Sequence, residues 1–429
     1  MAIDVNAYAG RLHPSRRMVQ IITLLLLVLI PVTGIFRIDP MDGAFIVGSR
    51  EIWFSDMFIV LGFWMFVASL LVIFYSLAGA VFCGWMCPQN SVSEWANHVT
   101  QRLLGRNARM MDMTGDEMQV ALRRSSWVNK LVLLLLLLGA SMVIALVPLL
   151  YFYPPSAIWS FITFAEDARL AGSLHWIYTV CVVLVFLDVA VIRHLLCRYM
   201  CIYRIWQHSF KTSFTLRVQY DESRKDDCVS CQFCADRCFI EIDPRNTVVF
   251  DSCVNCGECI VACDELHQKS NKLDHGSLLS FVVGKSAQPK PVLGRLSDFV
   301  FRAKTALAFT LVGGAMLVSG LYYYQPESLT VYRSGVSQGD NLLIYRVEVA
   351  HKLFAPATVH LRVEGLKTKN FHLAKDTVSF DHPGRKDVKL TLSVDMTKGL
   401  HRFRVVAKSD AGWRKVFNVV HYAAGGVQS

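Results

Sequence analysis

Residues 228 to 264 read CVSCQFCADRCFIEIDPRNTVVFDSCVNCGECIVACD and hold eight cysteines in two near-copies of one pattern: Cys228, Cys231, Cys234 and Cys238, then Cys253, Cys256, Cys259 and Cys263. Each run is C-x-x-C-x-x-C-x-x-x-C. In the two-cluster ferredoxin arrangement, three closely spaced thiolates wrap one corner of an iron–sulfur cubane and the fourth reaches across to the other cluster. On that pattern Cys228, Cys231, Cys234 and Cys263 hold one 4Fe–4S cluster, and Cys253, Cys256, Cys259 and Cys238 hold the other. Zinc is the plainer alternative, but a tetrahedral zinc site needs only two C-x-x-C pairs and leaves the remaining cysteines of each run unused. The proline usual after the fourth cysteine is replaced by Phe239 in the first run and Asp264 in the second. That proline shapes the turn and supplies no ligand atom, so ligation survives the change.

A second constellation of sulfur lies in FCGWMCPQ, with Cys83 and Cys87, and in LLCRYMCIYR, with Cys197 and Cys201. Both pairs have i, i+4 spacing, so a helix that continued through either would put its two thiols on one face. A methionine precedes each second cysteine, Met86 and Met200. Thiolate with thioether is a soft donor set suited to Cu(I) or to an iron–sulfur centre. The plainer alternative is four reduced thiols packing as small hydrophobes. Cys181 has no partner in sequence and is read as packing. His175 is expected at a membrane interface rather than on a haem, and His194 and His208 as satisfied surface histidines. There is no C-x-x-C-H motif and no pair of histidines at matched depth, so no haem is expected.

The elements that position these cysteines follow from composition. With 53% hydrophobic and 18% charged residues, the 429-residue chain is too apolar for a soluble globular protein. Five segments, 18–36, 57–81, 129–151, 174–196 and 305–324, are long enough to cross a hydrocarbon core of about 30 Å, which takes roughly 20 helical residues. The first has basic residues ahead of it but no small-residue cleavage site after its long apolar run, and is read as an uncleaved span. None of the thirteen cysteines lies beyond Cys263, which fits a reduced or metal-binding role better than an oxidised secreted scaffold.

Lys and Arg are dense ahead of span one, between spans two and three and after span four, whereas 37–56 holds only Arg37 and Arg50, and 152–173 only Arg169. The excess of basic residues on the inner side of a membrane makes the N-terminus cytoplasmic and, after five spans, the C-terminus external. The net charge of +10 is met by anionic lipid beside these loops, and no nucleic-acid motif accompanies it.

The expected layout is a transmembrane unit over 1–199, a cytoplasmic ferredoxin-like insert over 200–300, a fifth span at 305–324 and an outer domain over 328–429. SVSE at Ser91–Glu94 reads as a capping box opening an amphipathic helix along the membrane surface. KSAQPKPVLGR at 285–295 reads as a linker. Beyond 328 the apolar residues alternate with period two between turn residues, as in LLIYRVEVAH and HRFRVVAKSD. That pattern predicts a cysteine-free, Ig-like all-β sandwich with a stabilising or docking role.

Taken in order, FCGWMCPQ, CRYMC, the twin ferredoxin motifs, ACDE, a fifth span and an outer β domain resemble the cytochrome c oxidase accessory proteins of the CcoG/FixG/RdxA family, over essentially the whole chain. The resemblance implies a membrane-anchored oxidoreductase of the bacterial inner membrane. It would reduce Cu(II) to Cu(I) for assembly of a cbb-type haem–copper oxidase. It further implies a cytoplasmic electron donor, oxidase subunits or copper-handling factors as partners, and Cys83, Cys87, Cys197 and Cys201 as a redox or copper site. Ile202 and Phe239 stand where that family usually has proline. Two other readings are an electron conduit of the NapH/NosR kind, fed by quinol, and a non-catalytic assembly scaffold. NosR carries a large outer flavin domain before its first span, and NapH lacks the fifth span and the β domain.

Overall fold

The computed structural model describes residues 9–40, 42–105, 126–203, 210, 215–240, 242–246, 253–269, 276–283, 292–334, 344–393 and 396–423. His208 and most of the 285–295 linker lie outside them. Five helices are long and apolar enough to cross a membrane, Arg11–Val32, Met57–Ala78, Trp127–Leu150, Leu174–Ile192 and Ala303–Tyr322, and the chain is a multi-pass membrane protein. The chain divides into two compact units, Met1–Thr33 with Leu61–Met316, and Gly34–Val60 with Leu317–Ser429.

The first unit starts with α1 (Ala9–Val32), four residues short of the expected end of span one, because Phe36 already opens a strand of the other unit. Helix α2 (Met57–Ala78) stops at Gly79, whose φ of +61° is left-handed, the conformation that glycine adopts without penalty. A short α3 (Val81–Trp85) and then α4 (Pro88–Leu104) follow. The expected capping box does not operate. Helix α4 begins at Pro88, preset for a first helical position, with Cys87 as its extended cap, and Ser91 lies inside the helix with its hydroxyl donating back to Cys87 O at 3.1 Å. The buried residues of α4, among them Asn90, Ser93, Ala96 and Thr100, belong to a face packed on α1 and on α5 (Trp127–Leu150).

After α6 (Pro155–Ile162) and α7 (Leu174–Leu187), the fourth span is not one regular helix. Its wider turns at Asp188–Ile192 and Leu196–Met200 are π-helical, a feature that concentrates at functional sites. Between them Arg193 sits at φ 45°. The cysteine-rich segment is built on β4 (Arg217–Tyr220), α8 (Phe233–Asp236), α9 (Glu258–Lys269) and β5 (Leu279–Val282), with β4 antiparallel to β5. Helix α10 (Val292–Tyr322) meets α2 where a Cβ on Gly313 would lie 2.6 Å from Phe66 N. The small residue lets the backbones touch, as in packed membrane helices, and Thr310 Oγ1 donates to Ser69 Oγ at 2.9 Å beside it.

In the second unit β1 (Phe36–Asp39), β2 (Ala44–Val47) and β3 (Arg50–Trp53) form an antiparallel meander. Strands β6 (Glu327–Arg333), β7 (Ile344–His351), β8 (Ala357–Glu364), β9 (Phe371–Leu373), β10 (Thr377–Phe380), β11 (Gly384–Leu392), β12 (Gly399–Ser409) and β13 (Arg414–Ala423) form two four-stranded antiparallel sheets, ordered β6-β7-β11-β9 and β10-β8-β12-β13. Their period-two faces bury Tyr345, Val347, Leu390, Phe403 and Val405 in one shared core. The meander is tied to β7 by Glu51 N–H to Lys352 O at 2.8 Å. The Lys352 ammonium, 2.7 Å from Asp56 Oδ1, lies over the Trp53 ring.

Candidate functional site

The two cysteine runs fold into the same local trace. Ser230 and Gln232 flank Cys231, Asn255 and Gly257 flank Cys256, and all four have φ between 54° and 82°. Non-glycine residues avoid this region unless their surroundings over-determine it. Alternation of right- and left-handed residues turns successive backbone N–H groups inward, as in anion-binding nests. Asn255 N–H points at Cys253 Sγ (3.4 Å), and Leu278 N–H at Cys263 Sγ (3.4 Å).

Between these loops lie two cavities. One is lined by Cys253, Cys256, Cys259 and Cys238; the other by Cys228, Cys231, Cys234 and Cys263. Each is thus bordered by three sulfurs of one run and the fourth of the other. The exchange is physically simple: Cys259 and Cys263 ride one turn apart on α9, and Cys234 and Cys238 sit on and just after α8. Four sulfurs spread around each cavity fit a polynuclear cluster. Burial pushes the Cys234 thiol up to about 11, with repulsion from Cys263 adding to it.

The other four cysteines also come together, although not on continuous helices. Cys83 is on α3 and Cys87 caps α4, with Met86 ending α3 between them. Cys197 lies in the second π-helical turn, and Cys201 is the extended residue that ends it. The expected shared helical face is therefore absent for both pairs, yet Cys197 lies within electrostatic reach of Cys87, Cys201 and Cys83. Met86 and Met200 are 40% and 63% exposed, so neither thioether is buried with the thiols. A carboxylate of the fourth span, Asp188, accepts from Gln89 Nε2 at 2.6 Å. Ionisable groups at such depth mark function more often than packing.

One thiol of the quartet shares an apolar cluster with residues that line the first cavity. Cys83 packs in one apolar cluster with Ala80, Ile240, Val254, Cys238 and Cys256. The motif residues between the two thiols explain this approach. A Cβ on Gly84 would stand 2.5 Å from Val254 O and 3.0 Å from Cys256 Cα, so only glycine permits the contact. Trp85 Nε1–H donates to Asn255 O at 3.0 Å.

Sequence reasoning missed the polar frame of the site. Arg16, counted only toward the charge asymmetry, is 1% exposed and joins Glu94 and Glu258. Burial works to raise the Glu258 carboxyl, but Arg16 and His13 more than offset it and hold it below its ordinary range. His194 is not a surface histidine: at 3% exposed it sits between Asn90 (3.2 Å) and Asn97 (3.3 Å). Phe239, one of the departures from the family pattern, stacks near His194 (4.8 Å) and under Arg16 (5.6 Å). His175 stacks between Phe161 and Phe164, and Cys181 is partly buried.

A family described as a 4Fe-4S binding domain matches residues 60–107, which contain Cys83 and Cys87 and none of the eight insert cysteines. The chain is 27% identical over 303 residues to protein RdxA of Cereibacter sphaeroides, covering 65% of this chain and 60% of RdxA. It is 24% identical over 247 residues to the ferredoxin-type protein NapH of Haemophilus influenzae, covering 55% of this chain and 76% of NapH. The match to RdxA thus spans less than two thirds of that protein's own length. Among solved structures, a FixG-related protein from Vibrio parahaemolyticus aligns at 12% identity, covering 23% of this chain and 97% of that one, with a TM-score of 0.20. These likenesses support the resemblance to the CcoG/FixG/RdxA proteins, and the chain is a multi-pass membrane iron–sulfur electron-transfer protein similar to RdxA and NapH.

Proposed function

We propose that the chain is a redox enzyme of the bacterial inner membrane that reduces Cu(II) to Cu(I) during assembly of a cbb-type haem–copper oxidase. Two 4Fe–4S clusters would be held by Cys228, Cys231, Cys234 and Cys263 and by Cys253, Cys256, Cys259 and Cys238. The clusters, when bound, supply one-electron transfer between a cytoplasmic donor and the membrane thiols. The observation that carries the reading is that Cys83 packs on the same apolar cluster of Ala80, Ile240 and Val254 as Cys238 and Cys256, so that one thiol of the quartet shares a core with two cysteines of one cavity. Copper is the substrate: Cu(II) gains one electron and becomes Cu(I), and no proton moves. Cys83, Cys87, Cys197 and Cys201 favour the product, since soft sulfur prefers Cu(I). Gln89, Asn90 and His194 make the polar contacts between α4 and the fourth span in this region.

Anaerobic protein reduced by dithionite and then freed of reductant should turn Cu(II) into Cu(I), read with a Cu(I)-specific chelator, while its brown absorbance returns. Oxidation of a quinol by the purified protein, with no response to copper, would select the conduit reading that the likeness to NapH supports. Reduced protein inert toward both would leave an assembly scaffold.

The reading needs a cytoplasmic N-terminus and cysteine-rich segment and an external, Ig-like C-terminal domain, as the charge asymmetry suggests. A reporter active only outside the cytoplasm should be active when fused after Ser429 and silent when fused near Lys285. The reverse pattern would exclude a cytoplasmic donor.

A further inference from the structure

Arg16 reaches three segments, two that carry a cysteine of the same cavity and one that touches such a cysteine. Its Nη1 donates to Glu258 Oε1 at 2.8 Å, beside Cys259. Its Nε donates to Gly84 O at 2.7 Å, and Gly84 is the residue in backbone contact with Cys256. Its guanidinium carbon stands 5.6 Å from the Phe239 ring, beside Cys238. The remaining nitrogen pairs with Glu94, which Arg17 also reaches at 3.0 Å. The second cavity, around Cys228, Cys231, Cys234 and Cys263, adjoins a different cation, Arg245.

A guanidinium is always charged, and in surroundings of low dielectric its field is weakly screened. Reduction adds a negative charge to a cluster, so a fixed cation beside it favours the reduced form and raises its potential, whereas a carboxylate does the opposite. The placement of Arg16 is also stiff, because the guanidinium is 1% exposed and held by three acceptors on α4, α9 and the Gly84 backbone.

We propose that Arg16 is a positioning residue that raises the reduction potential of the cluster held by Cys238, Cys253, Cys256 and Cys259 relative to the other, with Glu258 moderating it. Electrons arriving from the cytoplasmic side then move downhill toward the cavity whose Cys238 and Cys256 share an apolar cluster with Cys83. The inference rests on the reading of the eight cysteines as ligands to two clusters, and adds the direction of electron flow between them. It also gives the first membrane span a redox role, since Arg16 lies on α1 and every group it tunes lies at least 68 positions away in sequence.

The test is an EPR-monitored redox titration of the full-length protein in detergent. Arg16→Gln should lower the midpoint of one of two signals, the one lost in Cys256→Ser, and leave the other in place. Arg16→Lys should restore most of the shift, and Glu258→Gln, which keeps an acceptor for Arg16, should move the same signal upward. Shifts of opposite sign from the two charge changes are the signature that loosened packing does not produce. Unmoved signals, equal shifts in both, or an Arg16→Lys protein indistinguishable from Arg16→Gln would overturn the proposal. If Arg16→Gln fails to accumulate, Glu258→Gln and Arg16→Lys carry the test by the same criteria. A wild-type protein without two cluster signals would instead overturn the reading of the eight cysteines.

Discussion

Replacing Cys256 with serine should remove about half of the cluster iron from anaerobically purified protein, and Cys231→Ser should remove about the other half, because each takes a thiolate from a different cavity. The brown absorbance and acid-labile sulfide should fall in parallel. The cross-over makes a sharper demand. Cys238→Ser should leave the same residual EPR signal as Cys256→Ser, and Cys263→Ser the same as Cys231→Ser, although in sequence Cys238 belongs with Cys231 and Cys263 with Cys256. Pairing by sequence run instead of by cavity would show that the fourth cysteines do not exchange. Iron unchanged by both replacements, or zinc in its place, would remove the ferredoxin reading altogether.

Alanine at any one of Cys83, Cys87, Cys197 and Cys201 should abolish Cu(II) reduction as completely as alanine at all four. Groups that act as one site lose function together and not in proportion to the number removed. Thiols that only fill space would cost about 1 kcal/mol each in cavity formation and leave activity near normal. The measurements are Cu(I) formation by reduced protein and assembly of active oxidase in cells, with cluster content checked in each variant. Cys83→Ala is the most informative single change, since Cys83 is the sulfur of the quartet that shares an apolar cluster with Cys238 and Cys256. Near-normal reduction in the quadruple variant would leave the eight insert cysteines as the whole redox apparatus.

Much of the architecture was legible because its signals are local. The length of an apolar run marks a span whatever surrounds it. Period-two alternation over HRFRVVAKSD or LLIYRVEVAH marks a strand with one buried face, and both became strands of the shared core. Local rules failed where two of them competed. Ser91 and Glu94 have the spacing of a capping box, but Pro88 had already started the helix, and Glu94 was thereby turned onto Arg16. The i, i+4 rule assumed helices that the chain breaks, at Met86 and Cys87 between α3 and α4 on one side and at the end of a π-helical turn on the other.

By itself the sequence determined the chemistry on offer: soft ligands at cubane spacing, membrane spans of sufficient length and a charge asymmetry, all of which depend on residue type and on distances of a few positions. Tertiary structure decided how those groups meet. Which backbone touches Cys256, which thiol of the quartet borders a cavity and which cation lies beside it are settled by contacts such as Arg16 with Glu258, 242 positions apart. No periodicity records such a contact. A buried guanidinium must find carboxylates to offset its desolvation, but which carboxylates it finds depends on how α1, α4 and α9 pack, and only the folded chain brings them to one point.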